Sequence, residues 1–263
     1  MRRALLQISL AAGLTATTAA ADEWTKRFTI SGKPELRVDA NDGAVIVRTW
    51  DRKEIEARVT TVHWRIPADI QVIDHQTGDH VDIELRMPRH AINFNFGRRS
   101  IQLELHVPRE LRSNIRTGDG SITVQDLRGD TRLVTGDGHI EATALDGSLE
   151  AKTGDGRIRV QGRFDLLNVH TGDGSIEADI SAGSRMTSEW TVRTGDGHVT
   201  LRLPAGFSAE LDVHTGDGHI TSDLPVTLSG SRYNQHDLRG KLNAGGPALI
   251  VHTNDGSIRL ERL

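Results

Sequence analysis

Seven carboxylates recur at one position of a repeated tetrapeptide. Asp119, Asp137, Asp155, Asp173, Asp196 and Asp217 stand in Thr-Gly-Asp-Gly, and Asp255 stands in Thr-Asn-Asp-Gly. Six histidines sit just before the threonine or just after the last glycine: His139, His170, His198, His214, His219 and His252. Carboxylates beside imidazoles could bind metal, move protons or balance charge. A calcium roll needs several oxygens around each ion from tandem nine-residue repeats. Here one aspartate comes every 18 residues in the regular part, with cations beside it, which argues against that ladder. His198, His214 and His219 could hold zinc or copper, on no stronger sign than outward, loosely spaced imidazoles. A polysaccharide-cleaving β-helix would use clustered carboxylates. An active site, however, is normally a single place that breaks a repeat, and aromatic platforms for sugars are scarce with four tryptophans and one tyrosine. Nucleophile-elbow, zinc-protease and phosphate-loop patterns are absent. The sequence therefore points to no catalytic residues and no cofactor. The repeated aspartates read as a structural acidic edge that could also bind a partner.

The elements that would position this edge follow from the flanks. The motif starts at Thr117, Thr135, Thr153 and Thr171 at a constant step of 18, then at Thr194, Thr215 and Thr253 after steps of 23, 21 and 38. The last step leaves room for two turns of chain, and Ala-Asn-Asp-Gly from Ala40 is an early relative. Two residues before each threonine stands an apolar residue: Ile115, Leu133, Ala151, Val169, Val192, Val213, Val251. After the motif come Ile122, Ile140, Ile158, Ile176, Val199, Ile220 and Ile258. This alternation specifies strands with one buried face, and the threonines share the buried parity. One unit cannot bury its inward row; stacked units can. Two architectures satisfy the pattern, an antiparallel meander of hairpins and a parallel stack. The parallel stack is favoured because equal units then place identical residues on one another.

The predicted fold is thus all-β: a parallel β-solenoid (β-helix) of about 18-residue coils over 113–263, with an N-terminal β segment, 22–112, capping its open end. In that segment Leu36, Val38, Ala40, Val45 and Val47 fit the inward pattern, 91–108 reads as a hairpin around Gly97, and Thr77-Gly78-Asp79-His80 reads as an ordinary turn. Stacked aspartates about 4.8 Å apart would repel by about 0.9 kcal/mol in water. Two offsets are expected. The flanking glycines would supply positive φ for a turn whose N–H groups bond the aspartate. Arg116, Lys152, Arg157, Arg193 and the six histidines would compensate the edge charge. Arg128-Gly129-Asp130 falls at a second turn, where Gly-Asp is expected on structural grounds alone. The final strand, Ser257–Leu263, has no obvious cap, so end-to-end pairing of chains is conceivable, though its charges discourage it.

Met1–Ala21 has a basic start, a short apolar run and small residues at 19 and 21, the form of a secretory signal cleaved after Ala21. No other run is long enough to span a bilayer as a helix. The 263-residue chain has a net charge of −4, and losing Arg2 and Arg3 with the signal leaves −6, which disfavours nucleic acid as a partner. There are no cysteines, so stability in a secreted or periplasmic setting must come from packing and pairing.

The segments "ELRVDANDGAVIVRTWDRKEIEARVT", "LELHVPRELRSNIRTGDGSITVQDLRG" and "GKLNAGGPALIVHTNDGSIRLERL" together resemble the bacterial family of putative adhesins with β-strand repeats, a domain of unknown function, over about 31–263. The resemblance implies an extracytoplasmic, non-enzymatic β-helical protein whose partner is a cell-envelope or surface component, and it brings no catalytic residues. Relatives often carry a looser Asn-Gly-Asp where this chain has Thr-Gly-Asp-Gly.

Overall fold

The computed structural model describes residues 21–87 and 100–263. Within them the chain is all-β, with 21 strands joined in one hydrogen-bonded sheet. The signal segment, except Ala21, and the first half of the 91–108 hairpin lie outside the described residues; the second half is the strand Ser100–Pro108.

Strands that precede a corner form one ladder. Glu35–Ala40, Arg112–Thr117 and Arg128–Val134 pair in parallel. The second half of Ile140–Lys152 follows, then the second half of Ile158–His170 and then Trp190–Arg193. Strands that follow a corner form the other ladder: Ala44–Trp50, Ile122–Gln125, the first halves of the two 13-residue strands, Ile176–Ile180 and Val199–Leu203, again parallel. Most partners differ by 18 residues, as with Leu133 on Ile115 and Ile158 on Ile140. The two strands flanking a corner pair with neighbouring rungs, which excludes a hairpin meander for the repeats.

Beyond Val199–Leu203 the stacking departs from chain order. Ala248–Asp255 lies between Trp190–Arg193 and Ala209–Asp217, and Ile258–Arg262 lies between Val199–Leu203 and Ile220–Ser222. The corner at Thr253 is therefore inserted between those at Thr194 and Thr215. The 38-residue step makes a hairpin, Val226–Tyr233 with Asp237–Leu242, that pairs antiparallel on Ala209–Asp217. This corrects the expectation of an uncovered C-terminal strand: Ile258–Arg262 is paired on both edges, and Leu263 N–H donates to the Leu203 carbonyl at 2.9 Å. The other end is also antiparallel, with Ala21–Thr29 and Glu54–Val62 beyond Ser100–Pro108, and Gln71–Thr77 beyond His80–Arg86. Thr77-Gly78-Asp79-His80 is the turn of that last hairpin.

The core runs between the ladders. The inward apolar positions before and after each corner are all buried, and so are the seven motif threonines, none above 4% exposed. Trp190 is fully buried, edge-on to Phe164 with ring centres 6.5 Å apart, and its Nε1–H donates to the Asp165 carbonyl at 3.2 Å. A lone indole donor inside a β core needs such an acceptor, since an unpaired one costs about 1–3 kcal/mol.

Candidate functional site: the stacked corners

The Gly-Asp-Gly corners are built by contact between rungs. Thr135 Oγ1–H lies 2.9 Å from the Gly118 carbonyl and 2.8 Å from that of Gly120. Thr153 repeats the arrangement on Gly136 and Gly138, Thr171 on Gly154 and Gly156, Thr194 on Gly172 and Gly174, and Thr253 on Gly195 and Gly197. Each hydroxyl thus clasps the backbone of the corner beneath while its methyl stays in the core. The backbone ladder continues around the bend, where Gly154 N–H donates to Gly136 O and Gly172 N–H to Gly154 O.

The glycines have a different cause from the one expected. Gly118, Gly120 and their equivalents in the Thr-Gly-Asp-Gly corners are not at positive φ. They are required by approach: a Cβ on Gly156 would lie 1.9 Å from Gly138 O, and one on Gly174 2.0 Å from Gly156 O. Positive φ is found at Gly43 in the early Asn-Asp-Gly corner and at the opposite bend, at Asp126 and Gly129, then at Ala144 and Gly147. Arg128-Gly129-Asp130 is part of that bend, with Asp130 held by Arg112 at 3.2 Å.

In stacking order the corner carboxylates are Asp42, Asp119, Asp137, Asp155, Asp173, Asp196, Asp255 and Asp217, and Asp217 faces Asp255 directly in the register. All are exposed. Among the described residues the expected turn bond from a following N–H is made by Asp42, to Gly43 at 2.6 Å, and by none of the seven motif aspartates. Nor does any of the seven join an ion pair with a flanking cation. Bulk water screens this file, and the side chains lean along the stack: Asp137 Oδ1 would lie 2.8 Å from a Cβ on Gly154.

The histidines accordingly do other work. His139 Nδ1 accepts from Arg157 N–H, and His198 Nδ1 from Ser257 N–H, both at 3.0 Å across a rung. His214 pairs with Asp237 at 2.9 Å, and this hydrogen bond holds the Asp237 carboxyl below its ordinary range. His252 bonds Asn254 at 3.2 Å and stacks on His214, ring centres 5.2 Å apart. The proposed metal trio is not brought together. The inserted corner puts Ser257 between His198 and His219, about 10 Å apart as two rungs, while His214 lies on the other side of its corner. Among the described residues no three His, Asp or Glu side chains are placed to hold a metal ion.

Two outward rows near the corners treat charge differently. After the corners the signs alternate and pair: Arg159 with Glu177 at 3.0 Å through Nε, Arg202 with Glu177 at 2.7 Å and with Asp179 at 2.8 Å. Hydrogen bonds from Arg202 and then Arg159 hold Glu177 below the usual carboxylate range. Before the corners, the positions preceding each threonine place Lys152, His170, Arg193, His252 and His214 on successive rungs. Partial burial, then the charges of Lys152 and Arg193, push the His170 imidazole below its ordinary value. The file is not legible in the sequence, because two of its members, His252 and His214, come into order only through the inserted corner.

A separate groove of about 890 Å³ opens at the opposite bend near the N-terminal segment, floored by Ile30, Pro34 and Leu111. Of its acids, Asp130 is held by Arg112, Asp146 by Arg163 and Glu35 by His80.

No family model and no curated protein matches the chain in sequence, so the adhesin-family resemblance rests on its quoted motifs. Among solved structures the chain is similar to a putative cell adhesion protein from Clostridium sporogenes, at 12% identity and a TM-score of 0.46, over 93% of this chain and 100% of that one. It is similar to a putative adhesin from Bacteroides fragilis, at 13% identity and 0.46, over 92% and 97%. A putative lipid binding protein from Parabacteroides distasonis matches at 13% and 0.43, over 91% and 96%. Likenesses this distant assign no function.

Proposed function

We propose that this chain is a parallel β-solenoid that acts, without catalysis, as a rigid adhesin-like or scaffolding surface outside the cytoplasm. The observation that carries the reading is the parallel register through eight corners, each motif threonine from Thr135 to Thr253 along the stack clasping the corner beneath it. Such a stack buries its inward row, holds its backbone groups in ladders and displays its outward residues in straight files. The antiparallel strands Ala21–Thr29, Glu54–Val62 and Gln71–Thr77 of the N-terminal segment and the hairpin over 226–242 act as end caps that keep the parallel ladders from templating other chains. Placement outside the cytoplasm is supported by the signal-like pattern of Met1–Ala21.

A polysaccharide-cleaving reading would need two free carboxyl groups facing each other across a cleft. The groove at the opposite bend has two of its acids, Asp130 and Asp146, engaged by Arg112 and Arg163, which favours binding over cleavage. The test is a pull-down of the mature protein against its own cell-envelope fraction, with and without chelator. Envelope partners recovered equally under both conditions support the reading. Loss of all partners with chelator would replace it with a metal-dependent one.

A further inference from the structure

The face before the corners carries a feature that stability does not explain. Like charges directly opposite on neighbouring strands are destabilising, and the row of Arg159 and Glu177 after the corners avoids this by alternating sign, as do Arg132 and Glu150 further out on the face before them. Yet Lys152, His170, Arg193 and His252 succeed one another with no acidic partner among the described residues, and His214 reaches one only at the end, in Asp237. The protein as a whole is acidic, so an uninterrupted basic file is not a by-product of composition. Its surface is concave where Arg193, His252 and His214 meet Ile250, in a basin of about 340 Å³ whose wall also carries Asp212, paired with Arg239 at 2.8 Å.

From this we infer that the file is a docking strip for a linear acidic polysaccharide, one bearing a carboxylate on each sugar. Resting on the reading of the chain as a display surface, it names the class of partner. The match is one of period and of paired chemistry. Rungs repeat about every 4.8 Å, a length comparable to one sugar residue in an extended chain, so carboxylates two sugars apart can meet Lys152 and Arg193, which are two rungs apart with His170 between them. Three residues beyond each of Lys152, His170, Arg193, His252 and His214 stands the exposed corner aspartate of the same rung: Asp155, Asp173, Asp196, Asp255, Asp217. Among the described residues each of these carboxylates is without a hydrogen-bond or ion-pair partner and can accept from a sugar hydroxyl. A strip that offers cations on one line and acceptors on the next suits a polymer with both carboxylates and hydroxyls. It repels a polymer that presents anions alone, such as polyphosphate. His170 makes the strip pH-dependent: it stands between Lys152 and Arg193, and an imidazole there gains charge as pH falls.

The test is calorimetric titration of the mature protein with polygalacturonate at low salt, set beside its methyl ester and inorganic polyphosphate. Polygalacturonate should bind, more tightly at pH 5.5 than at 7.5 by several-fold, and its methyl ester should not. Lys152→Gln with Arg193→Gln should weaken binding at least about tenfold, as expected for losing two charge-assisted contacts, while Arg259→Gln on the other face should leave it unchanged. Asp155→Asn with Asp173→Asn should weaken polygalacturonate binding and strengthen any residual polyphosphate binding. No binding of the acid polymer, equal binding of its ester, or tighter polyphosphate binding by the unmodified protein would overturn the assignment. Envelope partners recovered by a protein with no affinity for polygalacturonate would remove this inference and leave the display reading intact.

Discussion

Replacing Gly156 by alanine separates stacking from turn conformation as the reason for the corner glycines. The added Cβ would sit 1.9 Å from Gly138 O, whereas about 3.0 Å is the closest approach real Cβ atoms tolerate. The two rungs must therefore part by roughly 1 Å at the corner, enough to weaken the hydrogen bonds that cross it. Those are Gly154 N–H to Gly136 O, Thr153 Oγ1–H to Gly138 O, and Ile140 N–H to Arg157 O. At about 1 kcal/mol each, the loss is about 3 kcal/mol. The assay is urea unfolding followed by circular dichroism, with Gly206→Ala as control, because a Cβ there meets nothing within 4 Å. The control should lie within about 0.5 kcal/mol of the parent or be slightly more stable. Gly156→Asn adds a discriminating arm. Asparagine tolerates positive φ, so a turn requirement would make it milder than alanine, whereas a stacking requirement makes it at least as harmful. Gly156→Ala with an unchanged midpoint, or clear rescue by asparagine, would refute the reasoning.

Thr153→Val keeps the shape and removes the clasp on Gly136 and Gly138, and should cost about 1–2 kcal/mol in the same assay. Trp190→Ala should cost about 3–5 kcal/mol, and the parent should resist quenching of the Trp190 fluorescence by iodide. His170 should titrate by NMR below the ordinary imidazole value, and Lys152→Ala should raise it, because one of the displacing charges is gone. Since the unfolded chain binds that proton more readily than the folded one, His170 contributes a loss of stability as pH falls through about 6.5, the ordinary imidazole value. Glu177 works in the other acid range: its folded carboxyl is depressed by Arg202 and Arg159, so its contribution is present above the ordinary carboxylate range and lost as pH drops through the folded value. Arg202→Gln should flatten that second loss in pH-dependent unfolding.

Period, parity and the inward threonines were legible because each is a local consequence of a strand with one wet face. Leu149, Leu167, Trp190, Leu211 and Leu249 are buried as the alternation requires. Three things could not be read that way. The insertion of the Thr253 corner depends on where a hairpin ends in space, and a 38-residue step looks the same whether the chain moves on or turns back. The glycines' role was misassigned because positive φ and a steric approach by another rung select the same residue. The histidines look like counter-ions to the corner aspartates in one dimension; in three, His139 and His198 accept backbone N–H groups across a rung, and His214 finds Asp237 from the hairpin. The basic file of Lys152, His170, Arg193, His252 and His214 could not be ordered until that insertion was known.

Pairs of introduced cysteines test the stacking order most directly, and the chain has no cysteine of its own. Thr200 and Thr221 both neighbour Arg259 in the register and are two rungs from each other. Under mild oxidation Thr200→Cys with Arg259→Cys should form a disulfide, since adjacent rungs bring Cα atoms to about 5 Å, within bonding range. Thr200→Cys with Thr221→Cys should stay reduced at about 10 Å. Ready cross-linking of the second pair and none of the first would mean that the corners stack in chain order, and the account of the ladders and of the basic file would fall together.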